Sequence, residues 1–439
     1  MKAWHSGGAG VVLLLAASLG QAQTCLLSES VQVGDCFHIS IDMKLQGEMR
    51  FRKDTGNASV KLTASASHSF PERVLQTAGP VVSRVARAYE RATVNINRGS
   101  DQATCTLRPE RNFIVAQRIK EQFLAFSPRG AMFRNEVELV SDHFDTLSLT
   151  GVLPGKEVKP GDTWKIPNGV AAALCALEGI TENQLEGKFD HLQGQIATLS
   201  VQGTAVGVET GALVKLSVEA IGTYDLASKR LTKLVWKQKS DRDQGPVSPA
   251  STLDMTVTLT RRAIAQPAEL DDITLKSVPS DDTPPGPMTN IEFRDAKGRF
   301  TLVHPRDWYL TAVTADHTVL RLLDRGDYIA QLTVTPWTTA RKGEHLSPEQ
   351  FKKAMSETSG WRPEKELQSG EVPAEDKYIY RTSVVGQLDG VSVLQNFFLV
   401  AAPTGEQVVL TFTLAPKMAD RLGARDLSIA ASIEVPSGK

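Results

Sequence analysis

The sequence carries none of the common catalytic signatures. There is no HExxH, no glycine-rich loop ending in Lys and Ser, no G-x-S-x-G elbow and no GxGxxG after a strand. Charge of one sign is lacking too: 49 basic against 50 acidic residues leave a net charge of −1, which excludes the cationic surplus that nucleic acid selects. Beyond residue 19 no apolar stretch reaches the roughly 20 residues that a bilayer crossing needs, so no transmembrane anchor is expected. The four cysteines show no close CxxC spacing, which speaks against a zinc or redox centre, and no cofactor or metal is expected.

What is present is ordinary globular composition, 41% hydrophobic and 23% charged. At 439 residues the chain exceeds what one core usually supports. Residues Val278 to Asn290, VPSDDTPPGPMTN, hold Pro279, Pro284, Pro285 and Pro287 around Gly286 and disfavour both helix and strand. Together with Glu269, Asp271, Asp272, Asp281 and Asp282 against the single Lys276, they predict an extended, exposed linker. The expected layout is a leader at 1–22, an antiparallel β-rich domain at 23–265, a Pro/Asp-rich linker at 266–290 and an α+β domain at 291–439.

The leader reads as a secretory signal: Lys2, an apolar run from Val11 to Leu19, then Gly20 and Ala22 around a cut after Ala22. Thr24 and Ala22 before Cys25 do not fit a lipoprotein box. The expected location is therefore periplasmic or extracellular. An oxidising compartment and an even cysteine count suggest two disulfides among Cys25, Cys36, Cys105 and Cys175. Three pairings are open, and Cys25–Cys36 with Cys105–Cys175 is the favoured one.

Phe37, Ile39, Ile41, Met43 and Leu45 alternate with polar residues, as do Val60 to Ser67, so both segments predict half-buried strands, with Gly56 and Asn57 in the turn between them. His38 and His68 fall on or beside their polar faces. From Pro80 to Ala92 the apolar positions Val82, Val85, Ala86 and Tyr89 lie three or four apart, which predicts a helix showing Arg84, Arg87 and Arg91 outward. Pro71 to Arg134 holds 11 basic and 5 acidic residues, so these three arginines are the candidate ligand-binding residues for an anionic glycan, lipid headgroup or phosphorylated polymer, against the blander reading of a solvated face.

Further strands are expected at Phe113 to Gln117, Val137 to Val140 and Thr146 to Leu149. In Leu153 to Pro167, LPGKEVKPGDTWKIP, Trp164 is expected to plug a sheet edge, and Asn168 to cap a helix carrying Cys175. Val214 to Ala220 and Met255 to Thr260 alternate cleanly with no crossover helices, so the sheet must be antiparallel, a barrel or sandwich. After the linker, strands are expected at Val319 to Leu323, Tyr328 to Trp337, Tyr378 to Val385, Val391 to Ala401 and Val408 to Leu414. Ser347, Pro348 and Gln350 form a capping box stapled by Leu346 and Phe351, and a closing helix is expected from Pro416 to Ile433.

GRFTLVHPRDW, Gly298 to Trp308, and SIAASIEV, Ser428 to Val435, resemble the Mog1 and PsbP-like α/β/α sandwich group over the last 150 residues or so. The resemblance implies a binding or assembly role rather than catalysis. The PGDTW turn is similar to that of uncharacterised exported proteins of planctomycete-type bacteria, which implies export and no activity. His304, Asp307 and Ser383 show how readily hydrolase residue types can be assembled without geometry, and Asn57, Ala58 and Ser59 form a glycosylation sequon. Two function classes stay open. One is a non-catalytic envelope binding or assembly protein, taking a protein or envelope-component partner and a lipid or glycan ligand; the other is an exported hydrolase with a site between the domains.

Overall fold

The computed structural model describes residues 24–53, 56–79, 81–119, 122–141 and 144–435. The expected leader and its cut site lie outside them. The chain is mostly antiparallel sheet with few helices, a β-rich part followed by a mixed α/β part, and the large sheet does not close into a barrel.

That sheet runs Thr163–Lys165, Glu186–Gln193, Ile196–Glu209, Ala212–Asp225, Arg230–Arg242, Ala250–Ala263, Cys36–Lys53, Gly56–Ala78, Val81–Ala88, Phe113–Ile119 and Gln122–Phe126. A hairpin of Arg91–Arg98 and Asp101–Thr106 pairs beside Gly56–Ala78. Period-two alternation sets the register. Val257, Met43, Ala66 and Val94 fall opposite one another across four strands and are all buried. One residue along, Thr258, Asp42, Ser67 and Thr93 form a polar row on the other face, where the Ser67 hydroxyl donates to Asp42 at 2.9 Å.

The core face is covered by the chain's own segment from Arg134 to Leu177. Val137 and Leu139, Leu147 and Leu149, and Leu174 join Leu199, Trp236 and Leu259 in one cluster, with Phe144 edge-on to Trp236. Trp164 does plug a sheet margin: its indole donates to the Val152 carbonyl at 2.9 Å and lies over Gly187, where a Cβ would stand 2.4 Å from the ring. Within this cover two expected strands are helical. Val137 to Val140 belongs to the helix Arg134–Ser141, whose first turn is fixed by Glu136 accepting from the Phe133 amide. Thr146 to Leu149 belongs to the 3₁₀ helix Thr146–Val152, capped by Asp145 accepting from Leu147. Four alternating residues are too few to separate the two periods. Asn168 is the first residue of its helix and not the cap, which is Pro167.

The helix expected from Pro80 to Ala92 is a correction of larger scale. The segment forms the strands Val81–Ala88 and Arg91–Arg98. A strand covered on both faces has no alternation to show, and Val82 to Tyr89 is buried on both faces apart from Ser83. One cover is the core; the other is the linker. Leu270, Leu275 and Val278 pack with Ala86, Ala88 and Phe113, and Pro284 is buried. The segment is therefore exposed along most of its length, as at Asp272, Ile273 and Ser280 to Thr283, but is pinned to the sheet as a strap through Leu270 and Pro284, with a one-turn helix at Gly286–Thr289.

The second part holds seven antiparallel strands in the order Trp308–Val313, Thr318–Asp324, Asp327–Pro336, Gln407–Leu414, Val391–Ala401, Tyr378–Leu388 and Trp361–Glu371. The helix Pro348–Ser356 packs on one face through Phe351 and Met355, and Arg425–Ser432 on the other through Ile429 and Ala430. The Ser347–Gln350 capping box forms, and Leu346 and Phe351 share one cluster. The closing helix is broken into Ala419–Leu422 and Arg425–Ser432 by Gly423, whose φ of 58° only glycine adopts freely.

The two parts meet directly. Met132–Phe133 pairs in parallel with Ile291–Arg294, which pairs in turn with Thr301–His304. Arg134 donates to the Trp308 carbonyl at 2.6 Å, Arg306 donates to the Ala125 carbonyl at 2.7 Å, and the guanidiniums of Arg108 and Arg294 both lie over the Phe133 ring.

Candidate functional site

The three arginines singled out from the sequence do not form a patch. Arg84 is buried facing the strap and donates to the Pro279 carbonyl at 2.7 Å. Gln117, opposite it in register, does the same to Asp282. Arg87 points the other way, into the core: its Nε donates to Glu72 at 2.9 Å and its Nη2 to Thr146 at 2.6 Å. Burial works against its charge, but Glu72 more than offsets that and raises its pKa. Arg91 alone is exposed. Pleat alternation sends Arg84 and Arg87 to opposite faces, and the coverage of both faces accounts for the burial of each.

All four cysteines carry thiols, and neither favoured disulfide is present. Cys25 lies opposite Val158 and Cys36 opposite Arg73, on separate strand pairs. Cys105, on an edge strand, directs its sulfur at the Asn135 carbonyl. Cys175 ends the helix Asn168–Leu174, and burial pushes its thiol up to about 12. His38 sits on the polar face with Glu90 at 3.1 Å, whereas His68, expected beside a polar face, is buried with its ring edge-on to Tyr89. The chamber beside His68, between Phe70, Arg87, Leu139 and Phe144, measures about 20 Å³, the size of one water, so the large sheet encloses no roomy cavity there.

His304, Asp307 and Ser383 do not converge on a shared contact. His304 is buried in the seam and its Nδ1–H donates to Pro305 at 2.8 Å; burial lowers its pKa to about 4. Asp307 lies 3.5 Å from Arg425, and burial raises its pKa. Ser383 is in the second sheet, opposite Asn396. Among the described residues no three His, Cys, Asp or Glu side chains gather with metal-binding geometry, and no helix is long and apolar enough to cross a membrane.

An open cleft lies where the two sheets meet. It measures about 350 Å³ and is lined by Phe51 from the long hairpin, the loop from Gln244 to Pro249, and Thr311, Val319, Arg321 and Gln331 from the second sheet. Arg321 donates to the Pro246 carbonyl at 2.8 Å, and Arg242 braces the same loop by donating to Pro249. Arg242 is neutralised by Glu209 at 3.1 Å, whereas among the described residues the partners of the Arg321 side chain are the neutral Gln331 amide and the Pro246 carbonyl. None of these residues was singled out from the sequence. Gly245, Pro246 and Pro249 signal a loop there, and nothing in the spacing of Phe51 and Arg321, which come from distant strands, brings them together.

No protein-family model matches the chain, and no curated protein does. Solved structures similar to parts of it include cyanobacterial PsbP, CyanoP, from Synechocystis sp. PCC 6803, at 12% identity over 36% of this chain and 98% of that one, TM-score 0.28. The Ran-binding protein Mog1p of Saccharomyces cerevisiae matches at 15% over 33% of this chain and 95% of its own, TM-score 0.27. Lipovitellin matches at 6% over 54% of this chain and 26% of its own, TM-score 0.29. The chain thus bears a weak resemblance to PsbP and Mog1p over about a third of its length. Likeness at this level says nothing of activity.

Proposed function

We propose that the chain is an exported, non-catalytic binding or assembly protein of the cell envelope whose working surface is the cleft between its two sheets. The observation that carries this reading is the chemistry of that cleft. It is lined from both sheets by apolar side chains, amides, hydroxyls and one guanidinium, and its walls include no carboxylate, imidazole or thiol. Acid–base chemistry draws on such groups within hydrogen-bond reach, while recognition needs an apolar surface and a few placed polar atoms. The exported location rests on the leader sequence. Native mass spectrometry of the protein taken from its own envelope tests the proposal: a co-purifying protein, lipid or glycan is expected. A bare chain that turns over an ester or peptide library would replace it with the hydrolase reading.

A further inference from the structure

The core face of the large sheet is not covered along its whole length. Toward the tip of the long hairpin, Met255, Leu45 and Ile96 stand in one cross-strand row, Leu253 and Leu62 in the next, and Met49 and Val60 beyond. All point to the same side as the buried Val257, Met43 and Val94, yet all are only half-buried. Phe51, two residues past Met49 on that face, forms part of the cleft wall. An apolar row of Met, Leu, Ile and Val side chains thus leads to a cleft. The cation in its wall, Arg321, has no carboxylate partner among the described residues, and there its hydrogen bonds run from Nε to Gln331 and from Nη1 to the Pro246 carbonyl, with none from Nη2.

From this juxtaposition we propose that the cleft and the row behind it bind a single-chain anionic amphiphile, a fatty-acid carboxylate, with its head on Arg321 and its tail along Phe51, Met49, Leu253 and Leu62. The charge complementarity chooses the head: an isolated guanidinium favours an oxyanion through charge-assisted hydrogen bonds. The apolar part of the wall, Phe51, Pro246, Val247, Pro249 and Val319, suits an alkyl tail, and Gln244, Ser248, Thr311 and Gln331 add polar groups for a head beside Arg321. A cleft of about 350 Å³ is many times the one-water chamber beside His68, room for a head group and the start of a chain whose remainder lies along the row. The inference rests on the binding reading above and names its ligand.

The test is calorimetric titration of the chain with dodecanoate below its micelle concentration, beside dodecanol and acetate. Dodecanoate is expected to bind saturably at one per chain, dodecanol about tenfold more weakly for want of the charge, and acetate not at all. From octanoate to dodecanoate each methylene tightens binding about fourfold, and longer chains gain little. Arg321→Met brings dodecanoate to the affinity of dodecanol and leaves dodecanol unchanged. Should that variant lose its circular dichroism spectrum, Met49→Glu, at a half-exposed position, abolishes dodecanoate binding without unfolding. Equal affinity for acid and alcohol, or dodecanoate binding indifferent to both substitutions, overturns the proposal. Absence of saturable binding overturns it as well; the binding reading then stands if a different molecule co-purifies and falls with it if none does.

Discussion

The two sheets are finished differently. The seven-stranded sheet has the helix Pro348–Ser356 on one face and Arg425–Ser432 on the other, each burying an apolar stripe, so that Phe351 and Ile429 are fully enclosed. The large sheet is covered unevenly: the segment Arg134 to Leu177 lies on the core face at one end, the strap covers the reverse of Val81–Ala88 and Phe113–Ile119, and the hairpin end keeps Leu45, Met49 and Leu253 half-exposed. Coverage, more than strand composition, decides which residues count as core. It also leaves apolar surface partly open at the hairpin end, beside the second sheet.

The largest effect expected comes from the doubly covered strands. Arg87→Ala leaves Glu72 buried without its cation and costs about 3–5 kcal/mol, read as a lowered urea midpoint, whereas Arg91→Ala stays within about 0.5 kcal/mol. Small, equal losses at both positions would put Arg87 back on the surface and erase the contrast. The seam between the sheets comes next. Because burial lowers the His304 pKa from 6.5 to about 4, the unfolded chain binds the extra proton between those values. Stability from this group is whole above pH 6.5 and declines as pH falls toward 4, by about 3 kcal/mol. His304→Gln keeps a donor for Pro305 but cannot titrate, so its denaturation midpoint should show a flatter pH profile over that window; an unchanged profile assigns the slope elsewhere. The smallest effect belongs to the second sheet's helix. Ser347→Ala removes one half of a capping box and costs about 1 kcal/mol, visible as a modest fall in thermal midpoint, and a null result would place that helix's stability wholly in Phe351 and Met355.

Much of the architecture can be read in advance. Met255 to Thr260, Val214 to Ala220 and Phe37 to Leu45 alternate because one face meets core and the other water, and the local chemistry of Ser347, Pro348 and Gln350 suffices for the helix that follows. Val81 to Ala88 was illegible as strand for the opposite reason: its second cover arrives from Leu270 and Val278, nearly two hundred positions later. The strap misleads because proline forbids ladder bonding but not packing, and its carbonyls remain good acceptors for Arg84 and Gln117. Arg84, Arg87 and Arg91 look alike in the sequence and differ only in what the fold places opposite them. The cleft is the least legible part, since Phe51, Pro246 and Arg321 become neighbours only through docking of the two sheets.

The parallel pairing of Met132–Phe133 with Ile291–Arg294 bears on the order of assembly. A strand that emerges early must wait for a partner made much later, and the intervening loop has to be closed before the pairing rewards it. The hairpins from Glu186 to Ala263 form from neighbours and can condense first. The segment around Arg134, already packed on the large sheet through Val137 and Leu139, gains its pairing with Ile291–Arg294 only after that later stretch of chain is in place.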